Sequence, residues 1–241
     1  MTELFAQTTL PHIYGLHPFY LAVTLGAMLA SWAVGFMLKR RFNEYSQRPI
    51  PMTGAQVAEK MLRDHGITDV QVVSTPGRLT DHYHPLHKTV NLSEAVYHEA
   101  NVAAAAVAAH ECGHAVQHAK AYAALKMRSA LVPVVNLASG FLQFVLPLGL
   151  ILAANGHTLT LWIGVILFSA TTLFSIITLP VEFDASRRAL AWLDQSRSLA
   201  SLDHRKAKNA LFWAAMTYTV AAIASIGQLL YFVMRLMAAR R

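Results

Sequence analysis

The stretch from Leu159 to Pro180, LTLWIGVILFSATTLFSIITLP, carries no charged residue. A helix needs ~20 mostly apolar residues to cross the hydrocarbon core of a bilayer, and this stretch supplies them. Immediately before it, the short turn Asn155-Gly156-His157-Thr158 follows a second apolar stretch, residues 131–154. Two spans joined by so short a turn must form a hairpin that enters and leaves on the same side. Segments 18–38 and 211–236 also meet the length and hydropathy expected of a span. Composition agrees, with 55% hydrophobic and 14% charged residues over 241 positions, well away from a soluble domain. The expectation is a mainly α integral membrane protein with about four transmembrane helices. Segment 18–38 lacks a basic stretch ahead of it and is followed by Lys39-Arg40-Arg41, so it reads as a retained anchor instead of a signal sequence.

The hairpin places residues 39–130 and 181–210 on one side. That side holds seventeen of the twenty Lys and Arg residues; only Arg235, Arg240 and Arg241 fall elsewhere. The positive-inside rule then puts these segments in the cytoplasm and residues 1–17 outside, as in a multi-pass protein of a bacterial inner membrane. A net charge of +7 is accounted for by this distribution, and no nucleic-acid-binding motif accompanies it. The single cysteine, Cys112, excludes an intramolecular disulfide.

Within 39–130, Arg48-Pro49-Ile50-Pro51 reads as a linker. Thr53 is placed to cap a helix through Val57, Ala58, Met61 and Leu62, which Gly66 would end. Residues 70–73 and 88–92 alternate as strands do, with a turn signal at Ser74-Thr75-Pro76-Gly77, so a small sheet or hairpin is expected. The span of about 101–127 is nearly all Ala, Val, His, Gln, Lys and Leu and reads as one long helix, with Asn101 or Ser93 near its cap.

That helix carries His110-Glu111-Cys112-Gly113-His114. At a spacing of four the two imidazoles lie about one turn apart on one face and can reach one ion. Glu111 sits beside that face, able to address a water on the metal without filling its coordination sphere. Gly113 lets another element pack closely. The competing interpretation is a polar stripe, His110, His114 and His118, on a buried alanine helix. A catalytic site with two histidines needs a third protein ligand and an open position. Among thirteen carboxylates, Glu182 stands out, because it follows the span 159–180 on the side of His110. A carboxylate so near hydrocarbon needs a partner: a metal, or else Arg187 or Arg188. His118 is the other ligand candidate, although a polar supporting role fits it better. Cys112 lies on a different face and reads as a packing residue, and His82-Tyr83-His84-Pro85-Leu86-His87 as an exposed polar loop.

The segments His110 to Gln117, Leu179 to Ser186 and Thr80-Asp81-His82-Tyr83 together resemble the YugP-like bacterial membrane zinc metallopeptidases, neutral peptidases with an HExxH motif. The likeness extends over nearly the whole chain. It implies a small α+β zincin-like cytoplasmic domain, one Zn2+ held by His110, His114 and Glu182, and Glu111 as catalytic base. More distantly, Glu182 to Ala185 is similar to the corresponding element of the membrane peptidases that process prenylated proteins and of the heat-shock membrane proteases. Those families carry Asp where this chain has Ser186.

The function expected is therefore zinc-dependent endopeptidase action on membrane or membrane-proximal polypeptides, at the surface of the lipid bilayer. Tyr83, His82, His84 and Arg187 are candidates for stabilising the oxyanion, and residues 88–92 for an exposed edge on which substrate lies. The alternative is a non-catalytic, zinc-bound membrane scaffold or adaptor; a homo-oligomer or an adaptor partner is compatible with either. Ion transport is disfavoured because the spans hold no Asp or Glu in their interiors.

Overall fold

A computed structural model of the protein describes residues 18–239. The expected extracytoplasmic segment 1–17 and the pair Arg240 and Arg241 lie outside the described residues. Among those described, the chain is mainly helical, with four helices long and apolar enough to cross a membrane and one three-stranded sheet.

The first of the long helices, α1 (Pro18–Ser46), leaves large apolar side chains such as Leu29 and Trp32 exposed. A helix apolar on every face fits a lipid environment. After the linker, Thr53 caps α2 (Gly54–Asp64) with a full capping box: its hydroxyl accepts from the Gln56 N–H, and the Gln56 side chain accepts from the Thr53 N–H. Gly66, at a φ of 69°, turns the chain out of α2.

The sheet comprises β1 (Gln71–Thr75), β2 (His82–His84) and β3 (Thr89–Ser93), in the order β1-β3-β2. β3 pairs in parallel with β1, Val90 opposite Val72, and antiparallel with β2, Val90 opposite Tyr83. Both edges of β3 are thus occupied, so residues 88–92 do not offer the free edge expected of them; the edge strands are β1 on one side and β2 on the other. His82 to His84 likewise form this strand instead of a loop. Asp81 ties β2 to the end of β3, accepting from the Ser93 backbone N–H (2.7 Å) and hydroxyl (3.1 Å).

A short α3 (Glu94–His98) leads to α4 (Val102–Ala119), capped by the Asn101 side chain, which accepts from the Ala104 N–H at 2.9 Å. Nearly every α4 residue is buried, which explains its alanines: small side chains let neighbours close in on all sides. The expected continuous helix 101–127 is broken. Ala121 adopts a φ of 52°, and the N–H groups of Ala121 and Tyr122 bond back to the carbonyls of His118 and Gln117. This left-handed stop usually uses glycine. With alanine there, no breaker marks it in the sequence.

The chain then turns into α5 (Ala123–Ala154), α6 (Leu159–Gln195) and α7 (Ser201–Ala238). A Cβ at Gly149 would come within 2.8 Å of the Leu161 backbone, so the α5–α6 hairpin closes backbone to backbone near its turn. Leu146, Leu161, Val165, Tyr231 and Phe232 pack α5, α6 and α7 together. All four long helices run past the expected spans 18–38, 131–154, 159–180 and 211–236. Hydropathy marks where apolar side chains stop, whereas backbone hydrogen bonding continues through Ser46, Gln195 and the start of α7. As a result Ala189, Trp192, Leu193, Ala207 and Leu211 join Val57, Met61, Val90, Leu92 and the α4 alanines in one core. The polar ends of the long apolar helices are part of the same packed body as the sheet.

Candidate metal centre

α4 and α6 meet at Gly113. A Cβ there would lie 2.5 Å from the Ala185 carbonyl oxygen, so the absent side chain permits the contact that brings His110 and His114 against Glu182. The Glu182 Oε2 atom stands 3.2 Å from His110 Nε2 and 3.6 Å from His114 Nε2. Donors bound tetrahedrally to zinc at ordinary bond lengths are separated by about 3.3 Å, so the arrangement is close to that of a zinc site. Among the described residues, these three form the group of His, Cys, Asp or Glu side chains able to hold an ion, their ligand atoms within 4.8 Å of one another.

The tautomers also fit. Gln117, fully buried, donates from Nε2 to the Val181 carbonyl (2.8 Å) and the Asp184 carboxylate (2.9 Å). Both are acceptors only, which fixes the amide, and its Oε1 is left facing His114 Nδ1 at 3.0 Å. That oxygen can only accept, so the proton sits on Nδ1 and the Nε2 lone pair is available to an ion. Ser186 Oγ lies 3.1 Å from His110 Nδ1, and when it accepts the Nδ1 proton it leaves Nε2 of His110 free in the same way. Burial alone would lower the basicity of His114, but the Glu182 carboxylate outweighs it and holds the metal-free imidazole above its ordinary value.

Glu111 is buried on the wall of the same cleft, and its Oε2 accepts from the Tyr83 backbone N–H at 3.1 Å. The free edge of β2 therefore faces Glu111. The cleft, about 600 Å³, is lined by His110, Glu111, His114 and Glu182 together with His82, Tyr83, His84, Leu86, Val132 and Tyr218.

The structure separates the remaining candidates. His118 stays out of the trio: its Nδ1 is 2.7 Å from the Tyr83 hydroxyl, which burial, with a smaller contribution from Asp69, pushes up to about 12. Arg187 and Arg188 pair with Asp184, not with Glu182, and Arg187 lines a separate groove between α6 and α7. The basic partner of Glu182 is Arg128, whose Nη1 is 3.3 Å from Oε1. Cys112 points toward α2, 3.5 Å from the Ala58 carbonyl, and burial pushes its thiol up.

Sequence reasoning missed Gln117, Arg128 and Tyr218. Gln117 has a signal, being one turn from His114 on α4. Arg128 and Tyr218 have none, since only the packing of α5 and α7 against α4 brings them to the cleft.

Residues 20–237 match a family described as "Putative neutral zinc metallopeptidase". The chain belongs to this family. It is 39% identical over 217 residues to a Bacillus subtilis (strain 168) protein described as "Putative membrane protease YugP", a match covering 89% of this chain and 95% of that protein. No solved structure matches the chain. The family resemblance drawn from the three motifs thus holds across the chain, and a zinc peptidase family implies zinc for a site whose donors suit it.

Proposed function

We propose that this protein is a membrane-embedded zinc endopeptidase in which His110, His114 and Glu182 hold the ion and Glu111 is the general base. The convergence of two imidazole Nε2 atoms and Glu182 Oε2 beside Glu111, in one cleft, carries the reading. When bound, zinc lowers the pKa of a coordinated water and polarises the scissile carbonyl. Glu111 takes the proton of the attacking water and returns it to the leaving amine. The Tyr83 N–H holds the Glu111 carboxylate on the cleft wall throughout. Ser186 and Gln117 keep the two imidazoles presented through Nε2. Tyr83, His82 and His84, which line the cleft, remain the candidates for contacting the carbonyl oxygen.

The charge distribution supports a cytoplasmic face for the site and an external N-terminus in a bacterial inner membrane. In this reading residues 39–130 are the zincin-like cytoplasmic domain, and residues 181–210 are the segment that brings the third ligand to it. The cleft includes Val132, within the apolar part of α5, beside Leu86, which favours polypeptides presented at the bilayer surface: membrane proteins cut near their spans. Casein digestion in detergent by wild type and Glu111→Gln tests the activity. Cleavage by wild type alone is expected; equal cleavage by both would exclude Glu111 as the base. Zinc bound without any cleavage would favour a zinc-bound scaffold.

A further inference from the structure

Glu182 is almost wholly buried, and its two oxygens face different partners. Oε2 addresses both histidines, while Oε1 is 3.3 Å from Arg128 Nη1. We infer that Arg128 is a positioning residue that keeps Glu182 a one-oxygen ligand. The inference rests on the metal site proposed above and goes beyond it.

A guanidinium hydrogen-bonded to one carboxylate oxygen competes with the metal for that oxygen and orients it away, which disfavours a chelate ring closed through both. One-oxygen binding keeps the sphere at three protein donors and an open position. Were Oε1 released, it would be the nearest additional donor and would compete for that position. Arginine suits the task because it stays charged and directs its N–H groups from a rigid plane. The nearer arginines in sequence are committed elsewhere, Arg187 and Arg188 both holding Asp184. Arg128 instead comes from the start of α5, so the histidines, the carboxylate and its clamp belong to three different helices. The geometry of the site is thereby tied to the position of a membrane helix.

Cobalt(II) reports coordination number directly, since its visible bands are intense at four-coordinate sites and weaken as donors are added. Full-length protein in detergent, freed of metal, is titrated with Co2+ for wild type, Arg128→Ala and Arg128→Lys, and Zn2+ affinity is measured by chelator competition. In Arg128→Ala the intensity per bound cobalt should fall at least about twofold as Oε1 joins the sphere, with Arg128→Lys between the two. Zinc affinity should change by less than about tenfold. A merely structural role would reduce the amount of cobalt bound and leave the spectrum of each bound ion unchanged. Superimposable spectra per bound ion would overturn the inference and leave the metal site standing. Failure of wild type to bind either ion would overturn the metal site, and the inference with it. If Arg128→Ala takes up no cobalt, the spectrum of Arg128→Lys decides by the same criterion.

Discussion

Ser186 Oγ stands 3.1 Å from His110 Nδ1, one helical turn beyond Glu182 on α6. One helix therefore supplies both the candidate carboxylate ligand and the group that orients the opposing imidazole. The distant families that this element resembles carry Asp at the position, and here a neutral hydroxyl occupies it. The difference alters charge and leaves the orienting contact in place.

Removing that contact should weaken the metal more than the fold. Ser186→Ala is expected to lower zinc affinity ~10-fold or more, with little change in thermal midpoint of the metal-free protein. Chelator competition measures the first and a melting curve the second. Unchanged affinity would show that the hydroxyl does not orient His110.

Gln117 should behave differently, because its amide satisfies three buried groups at once: Val181, Asp184 and His114. Gln117→Leu leaves them without their partner, and stranded buried polar groups cost about 1–3 kcal/mol each. Both stability and zinc affinity are expected to fall, and Gln117→Glu should recover at most the His114 contact. Denaturant unfolding of the metal-free variants reads the stability loss; a variant as stable as wild type would contradict the network.

The contact between α4 and α6 predicts a steric outcome. Gly113→Ala places a Cβ 2.5 Å from the Ala185 carbonyl oxygen, and the atoms it meets are backbone, so the helices must separate. A loss of about 1–3 kcal/mol is expected, along with weaker zinc binding as Glu182 is carried away from the histidines. Retained affinity with wild-type stability would mean that the helices do not meet there.

Zinc affinity should rise with pH. His114 is held above its ordinary value of 6.5 in the metal-free protein, and a metal must displace the proton it retains. That proton stabilises the metal-free fold fully below 6.5, and its contribution is lost as pH climbs through the raised folded value. Metal binding runs the opposite way, strengthening over the same range. Calorimetry in buffers of different ionisation enthalpy should register proton release on zinc binding near neutral pH. Release of none, with a flat affinity profile, would contradict the Glu182–His114 contact.

Local pattern alone determined a good part of this protein. Uncharged runs of spanning length mark the membrane helices, since lipid tolerates little else, and the four-residue spacing of His110 and His114 follows directly from helix pitch. Glu182 was reachable too, because a short hairpin turn leaves its ends on one side whatever the packing. Which partners meet was decided by the tertiary structure. The helix stop at Ala121 depends on a left-handed conformation that alanine does not advertise. β3 is central because β2 folds back upon it, not because of its own residues. Arg128 displaces the sequence-near Arg187 and Arg188 as the partner of Glu182, for α5 and α6 set the reach of each side chain. Hydropathy and helical spacing are written in adjacent residues, whereas the choice among similar charges is made by distances that exist only once the helices have packed.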